Sequence, residues 1–217
     1  MTASALSTFP MLRDRLDQGL ETLGIALDAG KCSQLLQYIA LLDKWNKVYN
    51  LTAVREPERM IGLHILDSLS VLPNLGAGSN ILDVGTGGGL PGIPLAIANP
   101  ALQVTMLDSI AKKTTFVRHV IGELGLKNAE VVASRVESYQ PTMKFDHVIS
   151  RAFAELKDFV EGAGHLCAEG GAMLAMKGVY PHDEIGRLPV GFVAKQIIAL
   201  NVPGVEGQRH LVVIQKV

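Results

Sequence analysis

Apolar residues recur at helical spacing through the first third of the chain. Leu12, Leu16, Leu20 and Leu23 form one stripe. Leu35, Ile39, Leu42, Trp45 and then Val48 or Tyr49 form a second, at steps of three or four. Gln34, Gln37, Asp43, Lys44 and Lys47 occupy the other face of the second helix. A third helix is predicted from Pro57, whose fixed φ suits a first turn. It runs through Met60, Leu63, Leu66 and Leu69 and stops before Pro73. Core packing accounts for all three stripes.

Near Asn80 the pattern changes. Short apolar runs suited to strands (Ile81–Val84, Gln103–Leu107, Ala129–Val132, Asp146–Ile149 and Ala172–Met176) alternate with helical stretches at Pro91–Ala98, Lys112–Leu124 and Ala154–Leu166. That alternation indicates a parallel sheet covered on both faces. Two more strands, near Val193–Leu200 and Leu211–Val217, have no helix between them. The turn-rich Asn201-Val202-Pro203-Gly204 predicts that they pair as an antiparallel hairpin. The fold class expected is α/β: a doubly wound, mostly parallel seven-stranded sheet with a C-terminal antiparallel hairpin. Residues 1–79 are expected to form an N-terminal helical extension packed on a core of residues 80–217, a single compact unit.

Composition narrows this only a little. The 217 residues suffice for one substantial core, and 48 % of them are hydrophobic, which argues against disorder. Twenty Lys and Arg face 21 Asp and Glu, for a net charge of −1, so nucleic acid is not held by bulk charge and any such contact needs a local patch. Cys32 and Cys167 lie far apart with no metal-ligand spacing, which predicts two buried, reduced thiols, no metal site and a cytoplasmic protein. Met1 to Pro10 lack the pattern of a secretory leader. Val84–Leu107 is uncharged and long enough to span a bilayer, but its many glycines and prolines would leave a lipid-exposed helix with unsatisfied backbone. No membrane association is expected.

The chemistry begins at Asp83-Val84-Gly85-Thr86-Gly87-Gly88-Gly89-Leu90-Pro91-Gly92, between a predicted strand and a predicted helix. Glycines there allow positive φ and let a ligand lie on bare backbone, and the helix start beyond offers further N–H groups. A P-loop is excluded, because Ile93 and Pro94 stand where its Lys and Ser/Thr belong. Gly87, Gly89 and Gly92 satisfy a dinucleotide fingerprint, with Asp108 placed to bind a ribose. Asp83, Gly85, Gly87 and Gly89 equally satisfy the DxGxGxG form that binds S-adenosylmethionine. A carboxylate two residues before the first glycine suits a cationic sulfonium with an ammonium group better than a pyrophosphate. A tight turn without a ligand ranks third. Asp108, at the end of the second strand, is placed to hold the ribose hydroxyls, to cap the helix starting near Ala111, or both.

Further segments resemble a known family. They are Trp45–Ala53, His64-Ile65-Leu66-Asp67-Ser68-Leu69, the glycine loop through Pro94, Leu107-Asp108-Ser109, Ser134-Arg135-Val136-Glu137, Ser150-Arg151-Ala152-Phe153, Met176-Lys177-Gly178 and Arg209-His210-Leu211-Val212. In this order they are similar to the bacterial ribosomal RNA small subunit methyltransferase G family, also called glucose-inhibited division protein B, from about Leu35 to the C-terminus. The resemblance implies a class I methyltransferase fold and transfer of a methyl group from S-adenosylmethionine to N7 of a guanine in the 530 loop of 16S rRNA, the conventional position 527. It also implies that Gly85, Leu90, Asp108, Val136, Glu137 and Arg151 contact the cofactor, and that the partner is 16S rRNA in the small ribosomal subunit rather than DNA. A monomer is expected. The usual Ala or Pro at the middle of the glycine loop is here Gly88, whose backbone adopts either conformation.

Guanine N7 carries an in-plane lone pair and no proton, so its methylation needs positioning rather than a general base, and no catalytic acid or base is assigned. Orientation alone supplies roughly 7–11 kcal/mol in favourable cases. Among the basic residues Arg55, Arg59, Lys112, Lys113, Arg118, Arg135, Lys177, Arg209 and His210, most read as solvated charge. Lys177, at the end of a central strand, and Arg209, before the last, are expected to meet RNA. His64 is expected to be structural, as a partner of Asp67 or part of a helix face. Three alternatives stay open: a methyltransferase of this fold acting on a small molecule or protein, a non-catalytic nucleotide- or RNA-binding module, and a nicotinamide oxidoreductase.

Overall fold

The computed structural model describes residues 3–153 and 155–217, of which residues 3–9 by backbone alone. Two long helices come first, α1 (Ala3–Leu23) and α2 (Ala29–Tyr49). Asp28 starts α2 by accepting the Lys31 N–H at 2.9 Å, and Asn50 ends it in the left-handed region at φ 50°. The first stripe buries Leu12, Leu16 and Leu20 and half-buries Leu23. The second buries Leu35, Ile39 and Leu42 but stops at Trp45, because Val48 and Tyr49 are 70 % and 40 % exposed. The predicted third helix is not regular. A turn of α-helix, α3 (Pro57–Met60), passes into a π-helical stretch (Ile61–Leu66) and back into α4 (Asp67–Leu69).

A seven-stranded sheet follows: β1 (Asn80–Val84), α5 (Gly92–Ala98), β2 (Gln103–Asp108), α6 (Ala111–Leu124), β3 (Ala129–Ala133), β4 (Phe145–Ser150), α7 (Leu156–Ala163), β5 (Cys167–Lys177), α8 (His182–Ile185), β6 (Phe192–Ala199) and β7 (His210–Lys216). The strand order is β3-β2-β1-β4-β5-β7-β6. The first five strands are parallel, and β7 runs antiparallel between β5 and β6. The expected doubly wound sheet and its hairpin are therefore present. The expected start of α7 at Ala154 lies outside the described residues, and the helix observed is shorter than predicted, ending at Ala163 before a single 3₁₀ turn. β5 is longer than expected, and Cys167, thought buried, is only half-buried at its start. No described helix is long and apolar enough to cross a membrane.

Alternation along the strands divides the core into two layers. Ile81, Met106, Ile149 and Leu174 face α1, α2, α5 and α6. Leu82, Leu107, Val148 and Met173 face α7. Residues of α1, α2 and the π-helical stretch thus share one apolar cluster with the sheet. A polar contact ties the same layers, since the buried Tyr38 hydroxyl on α2 donates to the Gly88 carbonyl at 2.7 Å. In Tyr38→Phe that carbonyl loses its partner inside the protein, so urea unfolding is expected to show about 1–3 kcal/mol of lost stability. An unchanged midpoint would mean that water replaces the hydroxyl.

Candidate active site

Strand order reverses at β1, whose neighbours β2 and β4 lead outward in opposite directions, and the crevice beyond the carboxyl ends of such strands is where ligands bind. The glycine loop leaves β1 there. Gly85, Gly87 and Gly89 have φ of 70°, 59° and 89°, values that side-chain-bearing residues seldom adopt. A Cβ on Gly92 would lie 2.5 Å from Met106 Cγ, so this last glycine of the loop lets α5 close onto β2. Asp83 holds the loop together. Its Oδ2 accepts from Thr86 Oγ1 at 2.6 Å and from the Gly92 N–H at 2.9 Å. The carboxyl is fully buried and does not reach the crevice as charge complementarity suggested. Burial pushes it up to about 6, against the pull of those two bonds. Its Oδ1 has no hydrogen-bond partner among the described residues.

The loop amides also turn inward. The Gly85 and Thr86 N–H groups donate to the Leu107 carbonyl, those of Gly89 and Leu90 to the Thr86 carbonyl, and that of Ile93 to the Gly89 carbonyl. The Gly87 N–H goes to Asp108 Oδ2 at 3.0 Å. The start of α5 therefore offers the crevice no row of free amides, contrary to the sequence expectation. A pyrophosphate depends on such a row, whereas a cationic ligand is repelled by it, so the loop disfavours a dinucleotide.

Two cavities open near the carboxyl ends of the central strands, and the glycine loop lines the first of them. The first, of about 220 Å³, is lined by Gly85, Asp108, Arg135, Val136, Glu137 and Phe153 among others. Asp108 accepts from the Gly87 and Ile110 N–H groups and lies 3.6 Å from Lys113 Nζ. A carboxylate has about four acceptor positions, so capacity remains for a ligand's hydroxyls. Four of the six residues matched to the cofactor come together here: Gly85, Asp108, Val136 and Glu137. Leu90 lines neither cavity and is packed in the core. Arg151 lines the second.

That second cavity, of about 280 Å³, holds both expected RNA residues, Lys177 and Arg209, together with His64, Asp67, Arg151 and His210. Asp67 is the hub. Its Oδ2 lies 3.1 Å from Arg151 Nη1 and its Oδ1 3.4 Å from Arg209 Nε. Burial pushes the Asp67 carboxyl up, and the two guanidinium groups oppose that shift. Lys177 Nζ reaches Glu184 at 2.9 Å. His64 does not partner Asp67; its Nε2 meets Thr52 Oγ1 at 2.9 Å, and burial, reinforced by the Arg151 charge, pushes it down to about 4, so it is neutral at pH 7. Of the other basic candidates, Arg135 lines the first cavity, Arg55 is spent on Asn46 and Asn50, and Arg59 pairs with Glu56. Sequence reasoning missed Asp67 and Glu184 as ion-pair partners. Asp67 lies inside a quoted motif, but nothing in that motif names two arginines far along the chain.

The model of the family described as rRNA small subunit methyltransferase G matches residues 31–212. The chain belongs to that family. Relatives named ribosomal RNA small subunit methyltransferase G agree with it along most of their length. The protein from Chromobacterium violaceum is 54% identical over 197 residues, covering 91% of this chain and 94% of its own. That from Pseudomonas aeruginosa is 53% identical over 203 residues, covering 94% and 95%. Among solved structures, an S-adenosylmethionine-dependent methyltransferase from Aquifex aeolicus superposes with a TM-score of 0.57 at 20% identity, over 84% of this chain and 98% of its own. A predicted O-methyltransferase from Agrobacterium tumefaciens gives 0.56 at 21%, over 70% and 80%. At such identities the superpositions establish the fold and leave the substrate to the site.

In this family member Asp83 leaves a signature in the pH dependence of stability. Its native carboxyl binds a proton more tightly than the unfolded one, whose value is near 3.8. Between there and about 6 the native state holds the extra proton, so stability falls as pH rises through that window and levels off above it. Measured against Asp83→Asn by urea unfolding, in which the His64 contribution cancels, the wild type is expected to lose about 3 kcal/mol across the window. Parallel curves for the two proteins would show the carboxyl to be unperturbed.

Proposed function

We propose that this chain transfers a methyl group from S-adenosylmethionine to N7 of a guanine in the 530 loop of 16S rRNA, the conventional position 527, and that it does so as a cytoplasmic monomer acting on the small ribosomal subunit. Residues 80–217 are the methyltransferase core in this reading, and residues 1–79 an extension closing over one face of it. The observation that carries the reading is the junction of the two cavities. Arg151 lines the cation-rich one, and the next residue, Ala152, lines the one beside the glycine loop. Adjacent residues just after β4 thus line both cavities, which supports a donor site and an acceptor site side by side. Membership of a family whose members are named for ribosomal RNA supplies the substrate class.

The residues of the first cavity fit the methyl donor. When bound, S-adenosylmethionine supplies a methyl group made electrophilic by its sulfonium. Asp108 accepts the ribose hydroxyls. Val136 and Phe153 offer apolar walls to the adenine, with Glu137 at its edge. Gly85 allows close approach, since a Cβ there would already lie 2.7 Å from that of Ala152. Leu90, packed in the core, supports the loop from beneath, and Arg151 acts from the shared edge.

Lys177 and Arg209 hold the RNA so that the Hoogsteen edge of the guanine faces the first cavity. Unpaired loop bases suit this arrangement, because specific RNA recognition mostly targets them. Methylation leaves the base cationic. The cavity tolerates that because Asp67 and Glu184 already balance its guanidinium and ammonium groups. No side chain has to remove a proton, consistent with a neutral, buried His64 that serves Thr52.

The test uses methyl-labelled S-adenosylmethionine with small subunits, and with free 16S rRNA, from cells lacking this gene. Label is expected at guanine N7 of the 530 loop. Label on another base, or only on protein, would retain the methyltransferase and reject the substrate. Asp108→Ala is expected to weaken S-adenosylmethionine binding about 10- to 100-fold by calorimetry, the range for losing hydrogen bonds to a charged group. Undiminished affinity would remove Asp108 from the donor site.

A further inference from the structure

The loop between β5 and α8 carries a feature that the proposed reaction does not use. Lys177 and Gly178 line the acceptor cavity on one side and an outer cavity of about 530 Å³ on the other. Tyr180, 36 % exposed, forms part of the wall of this outer space. Its ring lies 4.2 Å from that of His182, centroid to centroid, and meets His210 edge-on at 5.3 Å and 85°. His210 is buried and lines the acceptor cavity, so a series of rings leads from one cavity into the other.

We infer that the outer cavity is a second nucleotide site, in which Tyr180 stacks an unpaired base next to the target guanine along the RNA strand. The inference rests on the reading of the chain as an rRNA methyltransferase. A base flipped toward the donor site carries its neighbours with it, and the shared Lys177–Gly178 wall places one of them at the outer cavity. The platform is preformed. Pro181 restricts the backbone of Tyr180 to extended conformations. Glu184 anchors the far end of the loop, accepting the Leu156 N–H at 2.8 Å and pairing with Lys177. A ring already braced by a tilted contact with His182 and an edge-on contact with His210 loses little freedom on binding.

Charge points to a base rather than a phosphate. Lys177 is paired with Glu184, and Arg187, on the cavity wall, with Glu155 at 3.5 Å. Both cations there are already paired, Asp183 adds a further negative charge that disfavours phosphate, and the exposed part of the Tyr180 ring remains. Every nucleobase has a π face, so such a site tolerates sequence and contributes affinity. That contribution matters in a chain whose net charge is −1.

The test is a double-mutant cycle on the initial rate of methylation of small subunits. Wild type and Tyr180→Ala act on unmodified subunits and on subunits whose rRNA carries an abasic nucleotide on either side of the target guanine. Tyr180→Ala is expected to lower kcat/KM on intact RNA by about 5- to 150-fold, the range for one stacked base. It is expected to cost nothing further once the partner base is missing. Tyr180→Trp restores the rate, and calorimetry shows S-adenosylmethionine binding unchanged in both variants. Wild-type rates for Tyr180→Ala overturn the inference. So do additive losses at both abasic positions, which would mean that the ring meets something else, such as a ribosomal protein. If the wild type binds S-adenosylmethionine yet methylates no rRNA, the rRNA reading falls and this site falls with it.

Discussion

One buried carboxylate organises the centre of the molecule. Asp83 sits at the end of the strand where sheet order reverses, and a single oxygen of it holds both Thr86 in the loop and Gly92 at the start of α5. An ionisable group this deep is unfavourable in itself, and its raised proton affinity is the measure of that. The bonds it accepts bend the loop back on β1, and the loop amides then find partners in Leu107, Thr86, Gly89 and Asp108. With most of its amides turned inward the loop presents no row of donors to the crevice, so the acid shapes that surface through the bonds it accepts and not through its own charge.

A second buried acid performs the corresponding task for the cation-rich cavity. Asp67 stands just after the π-helical stretch and joins Arg151, from the end of β4, to Arg209, at the threshold of β7. The same stretch brings the Leu63 carbonyl to 3.4 Å from Arg151 Nη1 and His64 to Thr52. Irregular helical turns of this kind are frequent at functional sites. Here the irregularity turns one element toward three others, and Leu63, His64 and Asp67 thereby become part of the cavity wall.

The legible part of the fold was the periodic part. The strand runs from Ile81 to Val148 alternate cleanly between two apolar layers, and the glycines of the loop sit where positive φ is required, so sheet, crevice and cofactor class could be read in order. Asp108 and Lys177 were legible because a residue ending a parallel strand must face the crevice. The rest depended on contacts between distant segments. Val48 and Tyr49 continue the helical period but lie past the end of the layer they would cover. The irregular turn in Ile61–Leu66 leaves the spacing of its apolar residues almost unchanged, so periodicity did not report it. Ion pairs such as Asp67–Arg209 leave no local trace. The inward turn of the loop amides was equally hidden, because glycine permits either direction.

The antiparallel entry of β7 between β5 and β6 has a consequence for synthesis. Because that strand runs against its neighbours, it brings its beginning, Arg209 and His210, to the edge that carries the carboxyl ends of the parallel strands, after the rest of the described sheet has been made. The residues lining the donor cavity lie between Val84 and Phe153, whereas the acceptor cavity needs both Asp67 and Arg209. In the proposed reading, a nascent chain therefore exposes the complete set for the methyl donor well before the set for the guanine, because the latter depends on long-range pairing with β7. In that reading β7 converts a donor-binding fold into one with a place for its substrate.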